Sequence, residues 1–135
     1  MFKKILAMVM CLVLMCGTGL IANAETIENQ VQTRYSYTSK ISCSLNNSSG
    51  KALCVGNVLG YNGTTTKIEM TMTLQKKLVV WWDVQEWTMT ENSYIAAISK
   101  TVAVNSGKHR VELVAVVYSG SNSETVSSTS PTYEF

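Results

Sequence analysis

Apolar and polar residues alternate with a period of two along much of the chain beyond residue 35. In the clearest segment, residues 67–75, the even positions are apolar and the odd positions carry Lys, Glu, Thr and Gln. Such alternation is typical of an antiparallel strand with one buried face and one solvated face. β-branched residues crowd most of these segments, and helical periodicity holds over no useful length after residue 24. The chain therefore predicts an all-β fold.

Turn-forming residues separate seven such segments. They are residues 41–45, 52–61, 67–75, 79–89, 94–104, 109–117 and 124–129. Lys100 shares the parity of the apolar residues around it, which predicts a bulge or break near the middle of its strand. The residues at 127–131 are typical of a frayed strand end. Seven short strands at this spacing predict a single antiparallel β-sandwich of immunoglobulin or fibronectin III type.

The first 24 residues have the three parts of a secretory signal peptide. Lys3 and Lys4 precede an apolar run from Ile5 to Leu14, and Ala22-Asn23-Ala24 supplies the small residues of a cleavage site. The uninterrupted apolar run is shorter than the roughly 20 residues that a membrane-spanning helix needs. We therefore expect a cleaved signal peptide at 1–24, a flexible lead-in at 25–34 and a β-sandwich domain at 35–135.

A lipoprotein leader is disfavoured, although Cys11 and Cys16 both lie inside the signal peptide. Lipidation needs a small residue directly before the modified cysteine, and Met10 and Met15 stand there instead. Both cysteines are then small apolar residues that leave with the peptide. The expected location is extracellular, without a lipid anchor.

Cleavage changes the charge balance of the protein. The full sequence has a formal net charge of +2, but Lys3 and Lys4 leave with the leader. Residues 25–135 then hold equal numbers of basic and acidic side chains, so the net charge is zero. A neutral domain is not drawn to nucleic acid or to an acidic membrane by its overall charge. We expect a monomeric or weakly associating domain that contacts neither.

Cys43 and Cys54 remain after cleavage, and an even number of cysteines in an exported protein favours a disulfide. The intervening Asn and Ser residues end in Gly50 and indicate a hairpin turn. If the hairpin closes at Ser48-Ser49, Cys43 lies directly opposite Cys54, within bridging distance. The alternative is two buried free thiols. Two cysteines and one distant His109 do not complete a tetrahedral ligand set, so neither a metal nor a cofactor is expected.

An ordered series of short motifs resembles a known family. The motifs are Tyr35-Ser36-Tyr37-Thr38-Ser39, Gly60-Tyr61-Asn62-Gly63-Thr64-Thr65-Thr66-Lys67-Ile68-Glu69, Leu74-Gln75-Lys76-Lys77, Trp81-x-x-Val84-x-x-Trp87 and Val117-Tyr118-Ser119-Gly120-Ser121. They are similar to those of small secreted proteins from Gram-positive, gut-type anaerobes, classed as a domain of unknown function. The resemblance covers nearly all of residues 25–135. It implies a secreted bacterial β-sandwich and no assigned activity.

This sequence departs from the family pattern at two places. His109 stands where the family more often has an aromatic residue such as Tyr. Leu78-Val79-Val80 stands where a polar, glycine-rich turn is more usual. The second departure places an apolar patch at an expected hairpin tip.

Trp81, Trp82 and Trp87 are the first candidates for a functional surface. Adjacent residues of a strand face opposite sides, so Trp81 and Trp82 cannot both enter the core unless a bulge intervenes. One of them is expected to be exposed beside the apolar patch, where it could stack on a sugar or anchor a protein. The alternative is structural, with Trp82 or Trp87 filling the core and the exposed tryptophan shielding a sheet edge.

The remaining polar candidates do not assemble into a catalytic site. The alternation places His109 on an inward face beside Val111, and no nucleophile motif accompanies it. The carboxylates are dispersed along strands that also carry Thr and Lys, whereas glycoside hydrolysis needs two placed together. They are Glu69, Asp83, Glu86, Glu91, Glu112 and Glu124. No enzymatic activity is therefore expected.

These observations favour a secreted, non-catalytic binding or adhesion module. The expected partner is a protein or a glycan at a cell surface. The expected contact residues are Trp81, Trp82, Leu78, Val79 and Val80. The alternative is a secreted antagonist, either a bacteriocin-like toxin or an enzyme inhibitor.

Overall fold

The computed structural model describes residues 35–135, so the predicted signal peptide at 1–24 and lead-in at 25–34 lie outside the described residues. Eight strands follow one another along this part of the chain. They are β1 (Thr38–Ser48), β2 (Lys51–Gly60), β3 (Lys67–Lys77), β4 (Trp81–Glu91), β5 (Ile95–Val102), β6 (Lys108–Ser119), β7 (Asn122–Thr129) and β8 (Tyr133–Glu134).

The strands form two antiparallel sheets. One has the order β1-β2-β5, and the other has the order β4-β3-β6-β7 with β8 also paired to β6. Compared with a constant-type immunoglobulin domain, the fourth strand joins the sheet that contains β3, β6 and β7. The predicted all-β sandwich is confirmed.

The core lies between the two sheets and contains the apolar residues of alternate strand positions. Fifteen hydrophobic residues are buried there: Leu45, Ala52, Cys54, Val58, Ile68, Met70, Met72, Leu74, Ala96, Ile98, Val111, Leu113, Ala115, Val117 and Val126. Full burial of a Val, Leu, Ile or Met side chain contributes about 1.5–3 kcal/mol. The period-two pattern of the sequence therefore corresponds directly to the stabilising interior.

The predicted register of the β1–β2 hairpin is wrong by two residues. Ser48 pairs with Lys51, and the two turn residues, Ser49 and Gly50, have φ values of 53° and 82°. A two-residue turn with positive φ at both positions is the favoured connection for twisted strands, and glycine suits it. Cys43 consequently pairs with Gly56, and Cys54 pairs with Leu45.

The prediction of a Cys43–Cys54 disulfide is wrong, because in this register the two cysteines are diagonal neighbours and not directly opposite each other. Both are free thiols. The Cys43 Sγ atom lies 3.5 Å from the carbonyl oxygen of Val111 and 3.4 Å from that of Ser128, so it faces the other sheet. Cys54 lies fully buried in the core. The structure therefore agrees with the alternative prediction, in which the two thiols are free and lie on the core face.

Burial raises the pKa of the Cys54 thiol from 9.0 to about 11. In the unfolded chain the thiol ionises first, so raising the pH from 9 to 11 favours unfolding. We expect this group to remove on the order of 2 kcal/mol of stability over that range. Urea unfolding of the wild type and Cys54→Ala at pH 8 and pH 11 measures it, with reductant present. The wild type should lose more stability than the variant, and equal losses would contradict the prediction.

The prediction of a bulge or break in the strand near Lys100 is also wrong. β5 pairs with β2 without a register shift, from Ala52↔Val102 to Leu59↔Ile95, so it has no bulge near Lys100. Lys100 keeps its core-face parity but is exposed, because β5 is an edge strand and the long side chain can reach water. An inward-facing lysine at an edge also discourages further strand pairing.

The C-terminal segment is ordered against β6 and is not a frayed end. Ser130 makes two hydrogen bonds with Val111: its backbone N–H donates to the Val111 carbonyl, and its hydroxyl accepts from the Val111 N–H, both at 2.8 Å. After Pro131 the chain pairs again as β8, and Phe135 exchanges two backbone hydrogen bonds of 2.9 Å with Gly107. Pro131 therefore interrupts the strand pairing, but the chain is hydrogen-bonded to the β6 region on both sides of the proline.

Candidate functional site

The β3–β4 hairpin ends in a three-residue apolar loop. Lys77 pairs with Trp81, and the backbone N–H of Leu78 donates to the carbonyl of Val80 at 3.0 Å. Val79 is therefore the apex of the hairpin and is 94% exposed, while Leu78 and Val80 are 63% and 56% exposed. Turns usually consist of Gly, Asn, Asp, Pro or Ser. The three exposed aliphatic side chains of this loop therefore gain no stabilisation from burial in the core.

A bulge in β4 lies between Trp81 and Trp82 on one side and the rest of the strand on the other, so the two tryptophans do not follow the in-and-out alternation of that rest. Leu74 pairs with Gln85, but Gln75 pairs with Asp83, so Val84 is the extra residue. A bulge re-aims the side chains on its two sides. Above the bulge Trp82 pairs with Lys76 and is 58% exposed.

The three tryptophans have different environments. Trp81 and Trp82 lie on opposite faces of β4, as simple alternation predicts, and Trp82 is the exposed one. Trp87 pairs with Met72 and packs partly buried against the core, in agreement with the structural alternative for that residue. We define the apolar tip as Leu78, Val79, Val80 and Trp82.

Trp81 is half-buried beneath a basic side chain on the outer face of its sheet. The Arg110 guanidinium carbon lies 4.2 Å from the Trp81 ring centroid, and the Lys77 Nζ atom lies 5.9 Å from it. The Arg110 Nε–H donates to the Gln75 Oε1 atom at 2.8 Å, and the Gln75 amide donates to Asp83 at 2.9 Å. These contacts favour a fixed position for Arg110 close to the apolar tip.

Four basic residues surround the base of the apolar tip, and we call them the basic collar. They are Lys76, Lys77, Lys108 and Arg110. Lys76 pairs with His109 of β6, which places Lys108 beside the end of β3. The acidic residues at this end are Asp83, bonded to Gln75, and Glu134, paired with Lys108. Sequence analysis missed the collar because its members come from two distant strands.

His109 is enclosed and packs as predicted for an inward-facing residue. It is 1% exposed, and its ring meets that of Phe135 edge-on at a centroid distance of 5.4 Å. Its Nδ1 atom lies 2.9 Å from the carbonyl oxygen of Gly107. This geometry stabilises the C-terminal segment and leaves the imidazole without access to a substrate.

Glu124 has a structural role that sequence analysis did not identify. Its carboxylate accepts hydrogen bonds from the backbone N–H groups of Ser36 and Tyr37, at 3.0 and 2.6 Å, and from the Thr38 hydroxyl at 3.1 Å. A charged acceptor strengthens each of these bonds. Glu124 therefore ties the start of β1 to β7, although its position in an alternating strand predicted a solvated side chain.

A groove of about 350 Å³ lies between the edge strands β4 and β5. It is lined by Thr88, Met89, Ala97, Ile98, Ser99 and Lys100.

Within residues 35–135, no group of three or more His, Cys, Asp or Glu side chains could hold a metal ion. That same part of the chain contains no helix that is long and apolar enough to cross a membrane.

Comparison with known proteins assigns no family to this sequence. No family model and no curated protein matches the sequence. A solved crystal structure, that of wild-type OgpA from Akkermansia muciniphila, is similar with a TM-score of 0.43 at 14% sequence identity. The similarity covers 77% of this chain and 32% of that chain, so this chain spans about a third of the length of OgpA.

Proposed function

We propose that this protein is a secreted, non-catalytic binding module that attaches to a cell-surface partner through the apolar tip. The observation that carries the proposal is the exposure of four large apolar side chains at one hairpin end, with Val79 at 94%. Contiguous apolar surface on a soluble domain is a mark of an interaction site. Trp82 supplies the large aromatic contact that dominates many binding surfaces.

The environment of the candidate catalytic groups supports binding over catalysis. His109 is buried against Phe135, and Glu124 is occupied by three hydrogen bonds from the start of β1. Glu69 forms an ion pair of 3.2 Å with Lys67. Each of these side chains therefore has a structural partner.

Trp81 and Trp82 have different parts in the proposal. Trp82 touches the partner, whereas Trp81 is a positioning residue whose ring holds Arg110 and Lys77 at the edge of the contact surface. We therefore expect Trp82→Ala to weaken attachment more than Trp81→Ala does. This refines the expectation that both tryptophans belong to the contact surface.

Attachment to intact host and bacterial cells tests the proposed function. We expect Trp82→Ala and Val79→Ser each to reduce the bound protein about ten-fold, since truncating a central contact residue typically costs more than 1 kcal/mol. Tyr61→Ser is the matched control, because Tyr61 is an exposed apolar residue at the opposite end of the sandwich. Equal attachment of all three variants and the wild type would show that the apolar tip is not the contact surface.

A further inference from the structure

We propose, building on the function above, that the partner of the apolar tip is an anionic lipid bilayer. In this arrangement the apolar tip enters the headgroup layer and the basic collar contacts lipid phosphates. The net charge of residues 25–135 is zero and does not by itself favour binding to an anionic membrane. Such binding is favoured instead by the uneven distribution of charged residues over the domain.

The chemistry of the apolar tip suits a membrane interface. Aliphatic side chains enter the boundary between headgroups and acyl chains, and tryptophan is enriched at headgroup level. Val79 leads the hairpin, with Leu78 and Val80 beside it and Trp82 just behind. The loop reaches this shape without positive φ at any of its three residues and is closed by a backbone hydrogen bond. It is therefore a compact wedge.

The two ends of the sandwich differ in charge. The basic collar lies at the tip end, and Lys51 at the start of β2 lies at the same end. Near the opposite end lie Glu69, Glu91 and Glu124, in strand positions paired with Val116, Ile68 and Val117. Two basic residues also lie there, Lys40 and Lys67, and Lys67 is ion-paired with Glu69. The excess of positive charge is therefore at the tip end. A neutral molecule polarised in this way is attracted tip-first by a negative surface.

The spacing between the apolar tip and the basic collar matches the depth of an interfacial contact. Lys77 is two residues from the apex Val79, which is about 7 Å along a strand. Interfacial segments bury their apolar face by about 5–10 Å. The ammonium and guanidinium groups held on Trp81 would then meet the phosphates as Val79 reaches the acyl boundary. Arg110 and Lys77 face this level from β6 and β3.

Vesicle sedimentation of the purified protein tests the inference. The probes are vesicles of phosphatidylcholine and vesicles of equal parts phosphatidylcholine and phosphatidylglycerol. We expect binding to the anionic vesicles, weakened by salt, with little binding to the neutral ones. Val79→Asp should lower the partition coefficient about ten-fold, and Lys77→Gln should lower it about five-fold. Trp82 fluorescence should shift to shorter wavelength on binding, and Trp82→Phe should remove most of the shift.

Matched variants at the opposite end control for nonspecific effects. Ile95→Asp introduces the same charge at an exposed apolar residue, and Lys40→Gln removes the same charge as Lys77→Gln. Both should bind as the wild type does. Because Val79 and Lys77 are exposed, their variants should keep the wild-type circular dichroism and melting temperature.

The outcomes separate the lipid inference from the proposed function. Equal binding to neutral and anionic vesicles, or wild-type binding by Val79→Asp, overturns the lipid inference. If vesicles do not bind but the variants of the apolar tip still lose attachment to cells, the partner is a protein or glycan and the proposed function stands. If those variants lose neither kind of binding, both are overturned.

Discussion

Gly60→Ala is expected to lower the free energy of unfolding by about 3 kcal/mol, through overpacking and disrupted buried hydrogen bonds. A Cβ atom at residue 60 would overlap the Cβ, Oγ1 and Cγ2 atoms of Thr65. Thr65 is buried, and its hydroxyl donates to the Tyr37 carbonyl at 2.5 Å and accepts from the Tyr61 N–H at 2.9 Å. The side chain therefore cannot move aside without breaking both bonds. Thermal unfolding should show a melting temperature lower by more than about 10 °C.

Gly63→Ala is the control that separates this clash from the general effect of replacing a glycine. Gly63 has φ of 82°, and a Cβ there would meet nothing within 4 Å. Its replacement should cost only the backbone penalty of about 1–2 kcal/mol. If Gly60→Ala costs no more than Gly63→Ala, the close approach of Thr65 to Gly60 is not what makes glycine necessary there.

Gly56→Val is expected to destabilise the domain by about 1–3 kcal/mol, because the two sheets approach closely at this residue. A Cβ atom on Gly56 would lie 3.0 and 3.1 Å from the two Leu113 methyl carbons and 3.2 Å from Ile98 Cγ2. Leu113 is fully buried, so its side chain fills the space that the glycine leaves. Urea unfolding should show a lower midpoint with an unchanged slope.

A double variant tests whether Leu113 is the residue that meets the new side chain. Leu113→Ala alone should cost about 2–5 kcal/mol through the cavity that it leaves. In Gly56→Val combined with Leu113→Ala, the valine partly fills that cavity, so the combined loss should be smaller than the sum. An additive or larger loss would place the strain elsewhere.

The strands β2, β3 and β6 were predictable because their burial follows the chain with period two over most of their length. In β6 the residues His109, Val111, Leu113, Ala115 and Val117 are all buried, and the residues between them are not. The sequence shows this alternation without any long-range information. The class of fold and the inward position of His109 follow from it.

The pairing of the cysteines was not predictable from alternation, because a shift of two residues keeps every side chain on its face. The turn decides the register, and its position depends on which residue adopts positive φ. Gly50 is the better candidate for that conformation, and the structure uses Ser49-Gly50. The glycine was therefore the local signal that locates the turn.

Contacts between distant strands account for the rest of what sequence analysis missed. Glu124 binds the start of β1 across 86 to 88 positions of the chain, and Arg110 reaches Gln75 across 35. No local pattern encodes such pairs. The expectation of an apolar patch at a hairpin tip over Leu78–Val80 came from the family resemblance, in which a polar, glycine-rich turn is more usual there. Alternation predicted one exposed tryptophan but not which one, because the bulge at Val84 reverses the parity of the β4 residues above it.

Photo-crosslinking on intact cells tests most directly whether the apolar tip is the surface that makes contact. A photoreactive phenylalanine analogue replaces Val79 in one variant and Tyr61 in another, since both side chains are exposed and lie at opposite ends. The proposed function predicts crosslinks to cell-surface molecules, either lipid or protein, from position 79 and none from position 61. Crosslinks from position 61 without crosslinks from position 79 would contradict it.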